Sequence, residues 1–216
     1  MTLRGALCVC LALAGAVPLA AVAAEDALWR GNFLLGTTGA LFSPCRSGER
    51  LRLEDATPGG ALEAAYRALA RRPGRAIFAE FFGQRAGETI RATRFARAQA
   101  EGPGCREDLG EIRLRAYGFN PFVQLEMRAA RVYLRLSPSG EPREYPGAAL
   151  RVEDGEARYE GADAGSVLRL RVRAEPCRET LSSAIFSHAA LIEVDGERYA
   201  VCAYWGDLGP PPALAR

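Results

Sequence analysis

Apolar and polar residues alternate with a period of two through most of the chain, and one segment switches to the 3.6-residue period of a helix. The alternation is cleanest in "VYLRL" (Val132–Leu136) and "LRLRV" (Leu168–Val172), where Leu and Val share one face and Arg the other. That is the pattern of strands with one buried and one wet face. In the first half, Leu28–Gly36, Glu49–Glu54, Arg75–Gly83 and Glu88–Ala98 read as strands, with Leu51 and Leu53 alternating with arginines. In the last of these, Ile90, Ala92 and Arg94 fall on one face and Thr93, Phe95 and Arg97 on the other. Between the second and third strands, Leu62, Tyr66, Leu69 and Ala70 recur at helical spacing and end at Arg71-Arg72-Pro73-Gly74, a helix stop signal. "FSPCRSGERL" (Phe42–Leu51) reads as a turn.

The second half reads as a run of short strands: "EIRLRAYG", "FVQLEM", "RVYLRL", "AALRVE", "VLRLRVRA", "HAALIEV" and "RYAVCAYWG". Turn signals separate them. The strongest is Asp195-Gly196, which suits a type I′ hairpin because both central residues need positive φ. Around it, Ala190, Ile192 and Val194 share one face of a strand, with Ala189, Leu191 and Glu193 on the other. The Gly-rich polar stretch Ala98–Gly110 marks a boundary. The expected fold is mainly β, in two small domains. An N-terminal β-sheet domain with one helix covers 25–105, and a C-terminal antiparallel β-sandwich or barrel covers 111–208. Residues 209–216, with consecutive prolines that cannot join a sheet ladder, are expected to be a disordered tail.

The N-terminus sets the compartment. Arg4 precedes an apolar, alanine-rich run from Gly5 to Ala24, and Ala21-Val22-Ala23 fits the small-x-small cleavage rule. This is the layout of a signal peptide (1–24), with cleavage near Ala23 or Ala24. A membrane anchor is the alternative, since the run approaches the ~20 residues needed to span a bilayer. The cleavage site and the alanine content favour removal, leaving no stable membrane span. Cys8 and Cys10 leave with that segment and lie too early in it, after Leu7 and Val9, for lipid attachment. The protein is therefore expected to be periplasmic or secreted.

Four cysteines remain, Cys45, Cys105, Cys177 and Cys202. An even number in an exported chain argues for disulfides, with three possible connectivities. Pairing nearest neighbours, Cys45 with Cys105 and Cys177 with Cys202, keeps each bridge inside one half. Removing Arg4 leaves 27 basic against 26 acidic residues, a balance that argues against a nucleic-acid partner. Every basic side chain is arginine, so no lysine is available for Schiff-base chemistry.

The only histidine, His188, lies between Cys177 and Cys202, close in sequence to Ser182, Ser183 and Ser187. A triad needs an aligned acid as well, and the Gly-x-Ser-x-Gly elbow does not occur. Structural zinc needs four Cys or His ligands, usually with close Cys pairs, and copper(I) favours Met, of which only Met127 remains. No metal or cofactor is expected. The most exposed binding candidate is the "GFNPF" turn, where Phe119 and Phe122 flank Asn120-Pro121. The competing reading packs both rings into the core at a strand end.

"AYGFNPFVQLEM", "VYLRLSPSGEPREYPG" and "CRETLSSAIFSHAALIEVDGERYAVCA" resemble, in order and spacing, a C-terminal domain of uncharacterised bacterial envelope proteins. That domain pairs a Gly-x-x-Pro-Phe-Trp strand start with a Cys-Ser-Asp-Gly-Met-Ser stretch and a hairpin ending in Gly-Cys-Ala. Here Val123 follows Phe122 in place of Trp, and Glu179-Thr180-Leu181 stands where Asp-Gly-Met would. "FSPCRSGERLRLE" with the following helix is distantly similar to the N-terminal domain of the NlpE copper-resistance lipoproteins, without their lipid anchor or Cys-x-x-Cys pair. The resemblance implies an envelope location, a β fold and the same cysteine pairing, and no activity. The resulting expectation is a monomeric, non-catalytic envelope module that binds an unknown ligand or protein. The alternative is a periplasmic hydrolase using carboxylates and His188.

Overall fold

A computed structural model describes residues 26–72, 74–211 and 214; the expected signal peptide lies outside the described residues. Among the described residues the chain is mainly β, with one α-helix, as the alternation requires. The first five strands are β1 (Ala27–Gly36), β2 (Gly39–Pro44), β3 (Leu51–Asp55), β4 (Ile77–Ala86) and β5 (Thr89–Gln99), with helix α1 (Ala61–Leu69) between β3 and β4. They pair in the cyclic order β1-β2-β3-β5-β4 and close into a barrel, β3 and β5 running parallel and the other pairs antiparallel. This is the five-stranded Greek-key closure of an OB-type barrel. Such a barrel fixes an architecture and leaves function to its sites.

Helix α1 covers one end of the barrel. Its first turn is held by Asp55, whose carboxylate accepts from the Glu63 N–H at 2.8 Å, and by Thr57 Oγ1, which accepts from the Leu62 N–H at 3.3 Å. Leu62, Ala65, Tyr66 and Leu69 form its buried stripe, and Tyr66 meets the Phe33 ring edge-on at 5.1 Å. The β4–β5 pair is bulged at Glu80/Phe81 and at Phe82/Gly83. Each bulge resets which residues face inward. Ile90 and Ala92 therefore point into the barrel as expected, while Arg97, further along, is also fully buried. Gly83 sits in the second bulge, where a Cβ would lie 2.3 Å from the Arg91 carbonyl oxygen, so only glycine fits.

The remaining strands are β6 (Ile112–Phe119), β7 (Phe122–Arg128), β8 (Arg131–Arg135), β9 (Arg143–Pro146), β10 (Arg151–Glu153), β11 (Glu156–Asp163), β12 (Ser166–Arg173), β13 (Cys177–Arg178), β14 (Ile185–Phe186), β15 (His188–Val194) and β16 (Glu197–Trp205). All but β13 and β14 form an antiparallel nine-stranded sheet, ordered β10-β11-β12-β15-β16-β6-β7-β8-β9. The sheet curls until its ends approach, with Tyr159 Oη of β11 donating to the Pro146 carbonyl of β9 at 3.0 Å. Its concave face holds a core that includes Leu125, Leu134, Leu170 and Ile192. Asp195 and Gly196 both have positive φ, as the I′ reading requires, and so do Asp154 and Gly155.

Three features differ from the sequence reading. Phe42–Pro44, read as part of a turn, belong to strand β2, and the turn is confined to 45–50. Strands β9 and β11 lie where the sequence reading places no strand, β11 running into the Gly161–Gly165 stretch read as a turn. The boundary at 98–110 separates the two sheets, but the short β13–β14 hairpin crosses back and extends the barrel sheet, Ile185 pairing with Ala98 and Phe186 with Arg97. Leu109, Ile112, Ala184, Phe186, Cys202 and Tyr204 form a third, smaller core at that junction. Pro210, Pro211 and Leu214 of the tail are half-buried. Among the described residues no helix is long and apolar enough to cross a membrane.

Candidate functional site

Both bridges follow nearest-neighbour pairing: Cys45–Cys105 ties the β2–β3 turn to the linker, and Cys177–Cys202 ties the crossing hairpin to β16. With all four sulfurs in disulfides, no thiolate remains among them for a metal or for nucleophilic attack. The second bridge fixes the entry to β15 and thereby places His188 beside Ala203, two residues from Trp205.

The hydrogen bonds of His188 decide its chemistry. Trp205 Nε1 lies 3.1 Å from His188 Nε2, and an indole N–H can only donate, so Nε2 is the unprotonated nitrogen. The proton is therefore on Nδ1, which donates to Ser187 Oγ at 2.8 Å. In this tautomer His188 cannot accept a proton from Ser187, and the pair is not a nucleophile–base couple. Burial, with Arg94 as a secondary cause, lowers the histidine pKa from 6.5 to about 4. The ring is held neutral, with both nitrogens engaged.

A stability consequence follows from that depressed pKa. The unfolded chain binds a proton at His188 near pH 6.5 and the folded chain only near pH 4, so stability falls as pH is lowered through that window. At pH 5 this contribution amounts to about 2 kcal/mol relative to pH 7.5. Gln at position 188 still accepts from Trp205 but does not titrate. Urea unfolding of His188→Gln at the two pH values is expected to show a pH dependence smaller by about that amount.

Next to His188 lies a half-open cavity of about 570 Å³ between the barrel, helix α1 and the end of the curled sheet. Leu28, Phe82 and Phe95 wall it from the barrel, Ala61 and Ala65 from α1, and Ile185 from the crossing hairpin. Ser187, His188 and Trp205 form its polar end, together with Arg94, whose guanidinium stacks 4.1 Å above the Phe82 ring. Pro210 and Leu214 of the tail lie along one side. Size, apolar lining and a few convergent polar groups are the marks of a small-molecule site.

Behind this cavity the two sheets are joined by buried charges. Arg97 of β5, 1% exposed, donates to Glu80 of β4 at 2.5 Å and to Glu107 of the linker at 2.7 Å. Glu107 also accepts from Arg115 of β6 and from the Tyr204 hydroxyl of β16, while Arg30 of β1 bridges Glu80 and the exposed Asp207. The Arg97 guanidinium packs 3.9 Å over the Tyr204 ring. Burial opposes the Glu107 charge, but Arg97, Tyr204 and Arg115 outweigh it and hold the carboxyl below its usual range. Glu107 is thus an ionised acceptor rather than the protonated acid that glycoside hydrolysis needs. No sequence signal separates Arg97 from the outward-facing arginines of other alternating strands; the bulges in β4–β5 decide its burial.

The turn candidates Phe119, Asn120 and Phe122 lie away from His188, where β6 turns into β7. Phe119 is 43% exposed, Phe122 half-buried and Asn120 exposed, so neither ring is a core residue. The turn is braced by Glu179, whose carboxylate accepts from the N–H groups of Leu181 and Ser182 at 2.9 and 2.6 Å and from the Phe119 backbone. Phe119 and Phe122 rim a separate cavity of about 210 Å³.

The chain matches no protein-family model, no curated protein and no solved structure.

Proposed function

We propose that the protein is a non-catalytic, exported binding module of the cell envelope that holds a small, predominantly apolar ligand between its barrel and its curled sheet. The observation that carries this reading is the 570 Å³ cavity, apolar along its walls and polar at the Ser187–His188–Trp205 end. Two disulfides fit an oxidising compartment, as do the signal-peptide pattern and the likeness to envelope proteins in the sequence. The neutral histidine supports binding over catalysis, because both of its nitrogens serve internal hydrogen bonds. Arg94 and Glu80 both line the cavity, so the ligand class to test is an apolar chain with one polar head group, such as a medium-chain fatty acid.

Dodecanoate titrated into the mature protein is the direct test, followed by Trp205 fluorescence. Saturable quenching is expected in the wild type. Ala61 projects from the helix at the cavity wall, so Ala61→Phe fills part of the space and is expected to weaken binding about tenfold or more at unchanged melting temperature. Equal affinity in the two proteins would remove this cavity as the site.

A further inference from the structure

The outer face of the curled sheet carries a cation that stands apart from the ion-pair pattern. Among the described residues every other buried or half-buried arginine has a partner, as Arg97, Arg115, Arg158 and Arg171 do, while Arg135 makes no hydrogen bond or ion pair. On β8, Val132 and Leu134 point into the core, so Tyr133 and Arg135 lie on the outer face. Their cross-strand neighbours on β7, Glu126 and Gln124, share that face. With Arg128 and Pro142 these four line an open cleft of about 390 Å³. The Nε of Arg135 is enclosed, but its two Nη atoms are not, and neither is the Tyr133 hydroxyl, which also has no hydrogen-bond partner in the protein. Two residues apart on one strand face is about 7 Å, close enough for both donors to meet one bound group.

The neighbouring charges set the class of ligand. Glu126 accepts from Arg115 at 2.7 Å, from Gln124 at 3.2 Å and from Arg128 at 3.3 Å, so its carboxylate is fully used. Arg128 is held between Glu126 and Glu111 and lies 5.3 Å over the Tyr133 ring. Glu144, opposite Tyr133 on β9, is paired with Arg131 at 3.2 Å. The uncompensated charge lining the cleft is Arg135, whose guanidinium fork matches a carboxylate. Tyr133 and Pro142 supply apolar surface beside it. At ~30 Å³ per water-sized group the cleft holds about thirteen, the scale of a small aromatic acid. We propose that this cleft binds a small monocarboxylate with an apolar body, at a site separate from the apolar cavity.

Nuclear magnetic resonance titration of the isotope-labelled mature protein with benzoate tests this, with benzamide as the neutral counterpart. Saturable shifts of the β7 and β8 amide signals are expected for benzoate in the millimolar range, and benzamide is expected to bind about tenfold more weakly. Arg135→Gln is expected to weaken benzoate binding about tenfold at unchanged melting temperature, since the side chain has no partner to lose. Arg135→Lys keeps the charge without the fork; it is expected to lose about threefold and carries the test if the glutamine variant does not fold. Ala61→Phe, in the other cavity, is expected to leave benzoate binding unchanged. The proposal is overturned if benzoate gives no saturable shifts, if benzamide binds equally well, or if Arg135→Gln binds benzoate as tightly as the wild type. Loss of benzoate binding in Ala61→Phe overturns it too, by placing the ligand in the apolar cavity.

Discussion

Arg97→Met is expected to destabilise the protein by about 3–5 kcal/mol, the range for removing one partner from a buried ion pair. The side chain is 1% exposed and lies between Glu80 and Glu107, which are themselves buried. Methionine fills similar volume against Tyr204 and Phe78 but leaves two carboxylates sharing the remaining cations, Arg30 and Arg115. The destabilisation comes from desolvated negative charge without its counter-ion rather than from lost packing. Glu80→Gln combined with Arg97→Met is therefore expected to cost less than the sum of the two single changes, a coupling that a double-mutant cycle in urea unfolding measures. Additive losses would mean that the pair is not electrostatically linked.

Removing the bridges has the larger effect. Cys177–Cys202 closes a 25-residue separation and Cys45–Cys105 one of 60. In the chain-entropy model these are worth about 3.5 and about 4 kcal/mol. Single-bridge alanine variants are expected to fold with a lowered unfolding midpoint. Losing both removes an amount comparable to the whole stability of an ordinary domain, about 5–15 kcal/mol, so the doubly reduced protein is expected to unfold at 37 °C. The two bridges also act on different places. Cys177→Ala/Cys202→Ala frees the hairpin that brings Ile185 and Ser187 to the apolar cavity, and is expected to weaken dodecanoate binding more than Cys45→Ala/Cys105→Ala does. Far-UV circular dichroism with and without reductant, alongside the titration, checks both expectations.

The parts of this fold that the sequence discloses are those set by neighbouring residues. Leu168, Leu170 and Val172 alternate with arginines and are buried, and Asp195-Gly196 turns where positive φ is needed. The helix stripe at Leu62, Tyr66 and Leu69 is buried as its period requires. Closure of the barrel is a different matter, because the parallel β3–β5 pairing joins segments separated by α1 and β4, and no local pattern encodes it. Strand β2 begins at Gly39 and ends at Pro44, residues that read as turn formers, and β9 also ends in a proline.

The candidate site follows the same division. His188 stands out in sequence as the only histidine, but its bonds to Ser187 and Trp205 and the cavity beside it depend on how two sheets meet. Phe119 and Phe122 stand out in sequence because they flank a turn. The small cavity that they rim is not legible there, since its other walls come from separate strands and from Gly102, Pro103 and Glu107 of the linker.

The central claim is that the apolar cavity is a ligand site in an exported, disulfide-stapled protein. Native mass spectrometry of the mature protein, exported and purified without detergent and then mixed with dodecanoate, tests it most directly. The account predicts a polypeptide mass lowered by the four hydrogens of two disulfides, with a one-to-one adduct that is lost in Ala61→Phe. A protein with free thiols, or one that stays bare at saturating dodecanoate, would contradict it.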